Sequence, residues 1–216
     1  MTDYVPGHIV VEGPIGVGKT SLARRLGRSL GAELVLERAD ENPFLERFYR
    51  DPDGSAFPAQ LHFLMQRAEQ MRDLRQGDMF RPRIVSDFLF AKDRLFASLN
   101  LDDAEFDLYD RVFQALAVDA PRPDLAVYLQ APVEVLHKRI RTRAIDYEQT
   151  ISAGYLARLC EAYVRFFYHY TEAPLLIVNT AGINPIDNDA EYDQLLERVC
   201  AVRSGRHYFN PAPMAL

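Results

Sequence analysis

Gly13-Pro14-Ile15-Gly16-Val17-Gly18-Lys19-Thr20 has the spacing G-x-x-x-x-G-K-[ST]. Residues of these types in this order bind phosphate. The glycines let the backbone curl until several N–H groups converge on phosphate oxygens. A helix opened by the motif would add roughly half a unit of positive charge at its N-terminus. Lys19 can reach the β- and γ-phosphates, and the Thr20 hydroxyl can ligate Mg²⁺. Gly13, Gly16, Val17, Gly18, Lys19, Thr20 and Ser21 are therefore the candidate nucleotide cradle. Two carboxylates follow short apolar segments. Glu37 could accept a hydroxyl proton, with Glu41 its nearest competitor, and Asp87 could hold a metal ion or cap the next helix. Gln60 and Arg67 stand seven apart, which on a helix puts them on one face about two turns from each other. Arg139, Arg141 and Arg143 could form a cationic lid, the first and third sharing a helix face, or a solvated surface.

These residues need elements to position them. His8–Glu12 is a short β-branched run, read as a buried strand leading into the glycine turn. Ser21 to Leu30 has apolar residues at helical spacing and closes on Gly31. Further strands are expected at 33–37, at 83–86 between Gly77/Pro82 and Asp87, at 125–129 and at 175–178. Helical patterns fall at 42–49, 57–76, 91–97, 104–118, 132–143, 152–172 and 189–202. Alternation of short apolar strands with helices predicts an α/β fold: a five-stranded parallel sheet with helices on both faces and right-handed crossovers. The stretch after Gly205, with Pro211 and Pro213, reads as an irregular tail. Residues 1–216 read as one domain, with a lid at about 139–148.

Composition narrows the function. The chain has 216 residues, a net charge of −6 and only three lysines, Lys19, Lys92 and Lys138. That balance speaks against a nucleic-acid polymer as partner, but a single nucleotide needs only a local positive cradle. Cys160 and Cys200 read as reduced thiols, and without C-x-x-C or H-E-x-x-H spacing no structural zinc is expected. No apolar run approaches the ~20 residues of a membrane span, and Met1 to Gly7 lacks a leader pattern, so a cytoplasmic protein is expected. A guanine-nucleotide switch protein would carry N-K-x-D, which is absent. Asp51-Pro52-Asp53-Gly54 fits D-x-x-G only by letters and reads as a turn. What remains is a kinase acting on a small metabolite.

At this point the residues resemble the deoxyribonucleoside kinase family over nearly the whole chain. The landmarks are the P-loop, Glu37 followed by Asn42-Pro43-Phe44-Leu45, Tyr49, Gln60 with Arg67, Ser86-Asp87, Asp93-Arg94-Leu95-Phe96-Ala97, and the arginine-rich segment ending in Glu148. The resemblance implies a P-loop NTPase fold and transfer of the ATP γ-phosphate, with Mg²⁺, to the 5′-hydroxyl of a deoxynucleoside. It implies Glu37 as general base and Lys19, Arg139 and Arg143 as cations on the transferring group. Tyr49 and Glu148 would hold the sugar 3′-hydroxyl; Gln60, Arg67 and Asp93 would read the base; Thr20 and Asp87 would hold the metal. Phe88 and Ile145 stand where the family usually has arginine, and Arg141 is extra. A homodimer is implied, for which the face around Leu108, Phe113 and Leu116 could serve, a core role being the alternative. The base is expected to be a purine, deoxyadenosine or deoxyguanosine, ahead of deoxycytidine. The rival readings are a nucleoside-monophosphate kinase like thymidylate kinase, and a non-catalytic relative like an accessory subunit of respiratory complex I.

Overall fold

The structure, a computed structural model, describes residues 5–51, 54–76, 83–117 and 121–210. Strand β1 (His8–Glu12) is followed by α1 (Lys19–Leu30) and β2 (Glu33–Val35). Helices α2 (Leu45–Arg50) and α3 (Ala56–Gln76) then lead to β3 (Ile84–Ser86). After β3 come α4 (Asp93–Asn100), α5 (Asp103–Ala117), β4 (Leu125–Gln130), α6 (Val133–Arg143), α7 (Ala153–His169), β5 (Leu175–Asn179), α8 (Asp189–Ala201) and β6 (Arg206–Phe209). Short 3₁₀ turns occupy Ala39–Glu41, Phe90–Lys92 and Asp146–Thr150.

The strands form one parallel sheet in the order β2-β3-β1-β4-β5-β6. The expected count of five is corrected to six, because Arg206–Phe209 pairs in parallel with β5 instead of forming an irregular tail. Three of its four residues are exposed. An edge strand held by backbone pairing needs little hydrophobic patterning, so it leaves a weak trace in sequence. Gly77, Pro82, Val118, Pro52, Asp53 and the two tail prolines lie outside the described residues.

Side-chain alternation along the strands assigns the two faces. Ile9, Val11, Val127, Leu129, Leu176 and Val178 pack against Leu22 and Leu26 of α1 and Tyr192, Leu195 and Val199 of α8. On the other face Val10, Ala126, Tyr128 and Ile177 pack against Leu95 of α4 and Leu159, Tyr163 and Phe167 of α7. A third cluster joins Ile84 and Phe88 to Leu64 and Met71 of α3 and to Tyr109 and Phe113 of α5. Phe113 and Leu116 therefore belong to the core, and of the face expected to serve a dimer only Leu108 is exposed. Cys160 and Cys200 are half-buried thiols not joined by a disulfide. Among the described residues no helix is long and apolar enough to cross a membrane.

The chain runs from β1 outward to β2 and back to β3, then crosses to β4 on the far side of β1. In open parallel sheets, ligands bind outside the carboxyl ends of strands at such a reversal. Glu12 ends β1, Asp87 follows β3, and Glu37 lies two residues past β2. All three carboxylates are delivered to that edge.

Candidate active site

The phosphate cradle is built by backbone conformation. Gly13 has φ +152°, and a Cβ there would stand 2.5 Å from the Leu129 carbonyl oxygen. Gly16 has φ +82°, and its Cβ would meet Ile140 at 2.8 Å and the Leu136 carbonyl at 2.9 Å. Both positions exclude a side chain, so the loop lies directly on β4 and α6. Gly18 caps α1, which places Lys19 and Thr20 in the first helical turn. The Lys19 ammonium donates to Gly13 O at 2.7 Å and Pro14 O at 3.4 Å, folded over the loop. Burial, with Lys92 nearby, lowers its pKa, against Glu12, Glu37 and Asp87.

Asp87 is a cross-brace. Thr20 Oγ1 donates to one carboxylate oxygen, and the Glu37 amide donates to the other at 2.7 Å. One side chain thus ties the P-loop helix to the segment carrying Glu37. Burial raises the Asp87 pKa, partly offset by the hydrogen bonds from Thr20 and Glu37. A hydroxyl and a carboxylate in contact at the mouth of the cradle are the oxygen donors a magnesium ion takes, so the residues present fit the ion.

A cleft beside the cradle is lined by Lys19, Thr20, Glu37, Tyr49, Gln60, Phe63, Arg67, Asp87, Lys92, Asp93, Phe96, Arg143 and Glu148. Every residue expected to touch the acceptor is in it. Glu41 is not: its carboxylate is engaged by Gln66 Nε2 at 3.2 Å. The Glu37 segment is fastened to α3 by Gln70 Nε2 donating to Leu36 O at 2.9 Å and Asn42 Nδ2 donating to Ala59 O at 3.0 Å.

Arg67, 4% exposed, bridges two carboxylates, donating from one guanidinium nitrogen to Asp93 and from another to Glu37. Phe63 and Phe88 lie under its guanidinium at 4.9 and 5.7 Å. Burial pushes the Glu37 carboxyl up, but Arg67, Lys92 and Lys19 outweigh it and hold the group well below the usual carboxylate range. Asp93 goes the other way, pushed up to about 6 by burial, against the attraction of Arg67 and Lys92. Among the described residues, Asp93 Oδ2 and Arg67 Nε are buried without hydrogen-bond partners. One unpaired acceptor and one unpaired donor remain beside the cleft, a costly arrangement unless a ligand completes it.

The arginines of the lid separate by position. Arg143 reaches the cleft and binds Glu148 through Nε at 3.1 Å and through its terminal nitrogen. Tyr49 stacks on Tyr147 at 5.7 Å, and Thr150 Oγ1 donates to the Tyr49 carbonyl at 3.0 Å. Tyr49, Arg143 and Glu148 thereby meet at the lid. Arg139 instead lines a second cavity of about 650 Å³, with Gly16 to Ser21 and the 180–188 loop. It donates to Val17 O at 3.3 Å, Thr180 Oγ1 at 3.0 Å and Thr180 O at 2.9 Å. Arg141 is exposed beside Val133, Glu134 and His137, away from both cavities. Phe88 is in the core, and half-buried Ile145 is not among the residues lining either cavity.

Sequence reasoning assigned nothing to Glu12 and Lys92. Glu12, wholly buried, accepts from the Gly13 amide at 2.9 Å, Tyr163 OH at 2.9 Å and the Leu89 amide at 2.8 Å. Lys92, 2% exposed, places its ammonium 3.5 Å from Glu12 and 3.2 Å from Glu37. The available signal was an acid closing an otherwise apolar strand, and a lysine in a chain that has three.

Comparison with known proteins shows the family. The family model described as "Deoxynucleoside kinase" matches residues 9–202. Deoxyguanosine kinase of Bacillus subtilis (strain 168) is 29% identical over 196 residues, covering 88% of this chain and 95% of that protein. Deoxyadenosine kinase of Dictyostelium discoideum is 34% identical over 176 residues, covering 80% and 71%. The solved structure of deoxyadenosine kinase from M. mycoides with bound dATP superposes with a TM-score of 0.78 at 21% identity, over 89% of this chain and 98% of that one, and supports the fold. A P-loop, a buried carboxylate cluster at the sheet's reversal point and a family match spanning most of the sequence lead to one conclusion: this chain belongs to the deoxynucleoside kinase family and is a phosphotransferase.

Proposed function

We propose that the protein transfers the γ-phosphate of ATP to the 5′-hydroxyl of a deoxyribonucleoside, with deoxyadenosine or deoxyguanosine preferred over deoxycytidine. The observation that carries this reading is the buried Glu37–Arg67–Asp93 cluster facing the P-loop across one narrow cleft. Glu37 accepts the 5′-hydroxyl proton as the oxygen attacks in line. Lys19 and Arg143 neutralise charge on the transferring group, while Arg139 binds the donor side through the Thr180 loop. Thr20 and Asp87 would hold Mg²⁺, which when bound screens the β- and γ-phosphate oxygens. Tyr49 and Glu148 grip the 3′-hydroxyl, one as donor and one as acceptor.

The unpaired Asp93 acceptor suits an exocyclic amine on a nucleobase, and Arg67 with Gln60 suits ring nitrogens and carbonyls. Thymine offers no such amine. The purine preference draws further support from relatives named for deoxyguanosine and deoxyadenosine. An unphosphorylated acceptor is favoured because Arg67 and Lys92, the cations of the acceptor half, are already paired with carboxylates. The reading includes one domain and a homodimer; Val164 and Tyr168 of α7, 52% and 70% exposed, are available to a second copy.

The test is phosphate transfer from ATP·Mg²⁺ to each of the four deoxynucleosides, with Glu37→Gln alongside. A purine nucleoside is expected to lead in kcat/KM, with the Glu37 variant reduced by about 10²–10⁴ while ATP binding persists. A leading kcat/KM for thymidine would remove the base assignment.

A further inference from the structure

Lys92 sits at the end of the 3₁₀ turn before α4, in the lining of the acceptor cleft, yet it is almost sealed from solvent. Its ammonium lies between two carboxylates, Glu12 and Glu37, with Phe96 at 5.7 Å. Glu12 is itself fixed, accepting from two backbone amides and Tyr163. Burying such a pair carries a desolvation cost that attraction must offset, and an apolar pair of similar volume would serve stability as well. The arrangement therefore calls for an explanation beyond the fold. Glu37 is the more open member, 22% exposed to the cleft where the acceptor would lie.

Arg67 also forms an ion pair with Glu37, but it is shared with Asp93. A nucleobase that bonds to Arg67 and Asp93 competes for the same guanidinium. Lys92 has no such second duty toward the ligand, and its remaining partner is a buried protein carboxylate. Phe88, in the place of the arginine the family usually carries, is in the core and supplies no charge.

We infer that Lys92 is a positioning residue for phosphoryl transfer: anchored on Glu12, it fixes the Glu37 carboxylate toward the acceptor hydroxyl and remains its counter-charge when substrate engages Arg67. This rests on Glu37 being the base. The charged or titratable groups around Glu37 are Arg67 from α3, Lys92 and Asp93 at the start of α4, and Asp87 after β3. Lys19 from α1, Glu12 from β1 and Tyr49 from α2 complete the set.

The experiment is steady-state kinetics of the full chain and of Lys92→Met, Lys92→Arg, Glu12→Gln/Lys92→Met and Glu37→Gln, with folding followed by circular dichroism and thermal melting. Without the ammonium the Glu37 carboxylate loses its orientation, so kcat is expected to fall about 10–100-fold in both Lys92→Met variants, with KM for ATP and for the nucleoside unchanged. Lys92→Arg keeps the charge and is expected to recover part of kcat. A structural role alone would raise KM together with the loss of kcat. A folded double variant with wild-type kcat overturns the inference. So does failure of that charge-neutral variant to fold, since the pair is then a requirement of the fold. Undiminished turnover by Glu37→Gln would instead remove the base assignment, whereas an inactive Glu37→Gln with undiminished kcat in the Lys92 variants sinks only the role of Lys92.

Discussion

At the scale of single residues, the site is a balance of buried charges. Arg67 neutralises Glu37 and Asp93 together, so its loss leaves two carboxylates without their main partner. Arg67→Leu is expected to cost about 3–5 kcal/mol in urea unfolding and to abolish nucleoside turnover. Arg139 makes a different prediction. Its hydrogen bonds tie α6 to Val17 and Thr180, on the donor side. Arg139→Ala is expected to raise KM for ATP about tenfold, as lost charge-assisted bonds of ~1.5 kcal/mol or more would. Its KM for the nucleoside should stay unchanged in the same steady-state series. A rise in the nucleoside KM alone would place Arg139 on the acceptor instead. Glu37, Tyr49, Gln60, Arg67, Asp93 and Glu148 were each found by residue type and resemblance, and they do meet in one cleft. Glu12 and Lys92 escaped because nothing in a linear sequence indicates that an acid on β1 and a lysine before α4 face one another across 80 residues.

At the scale of elements, loops are held by specific local devices. The P-loop requires bare backbone at Gly13, where a Cβ would press on the Leu129 carbonyl. Gly13→Ala is expected to abolish ATP binding, measured by isothermal titration, because backbone cannot yield as a flexible side chain does. Helix α7 follows the lid and begins at Ser152, whose hydroxyl accepts from the Tyr155 amide. Ser152→Ala should lose about 1 kcal/mol of stability in urea unfolding, since the cap satisfies a backbone amide at the helix start. The lid itself ends helix α6 on Ala144 at φ 53°, a left-handed residue that turns the chain toward Glu148. Most elements were legible to within a few residues because apolar periodicity marks buried faces. β6 was not, since three of its four residues face solvent and only its pairing with β5 defines it.

At the scale of the whole molecule, one buried histidine couples the sheet to pH. His8, 8% exposed at the start of β1, has its Nε2 3.1 Å from Ser86 Oγ. Burial lowers its pKa to about 4, against the pull of Asp124. Between pH 6.5 and about 4 the unfolded chain binds this proton and the native one does not. Stability therefore falls as pH drops through that window, by about 3 kcal/mol in total, and levels off below it. His8→Gln should flatten that part of the profile in urea titrations at pH 7 and pH 5; an unchanged slope would assign it to other groups. A larger cavity of about 860 Å³ lies between α4, α5 and α7 with His8 and Pro123 in its lining, and contains none of the predicted site residues.

The phosphate cradle, the alternation that forces a parallel two-sided sheet, and the residue types that make candidate site groups were legible from the chain alone. Those properties depend on local conformation, on burial periodicity and on residue type, all of which are written along the chain. Tertiary structure alone decided which groups share a charge. The strand order sets β1, β2 and β3 side by side, so Glu12, Glu37 and Asp87 arrive at one edge. Only then do Arg67 and Lys92 find carboxylates to neutralise, and only then does Arg139 part from Arg143, one turning to the donor loop and the other to Glu148. Coulomb interactions act over a few ångströms in space and are indifferent to sequence separation, so their pattern appears only once the fold has closed.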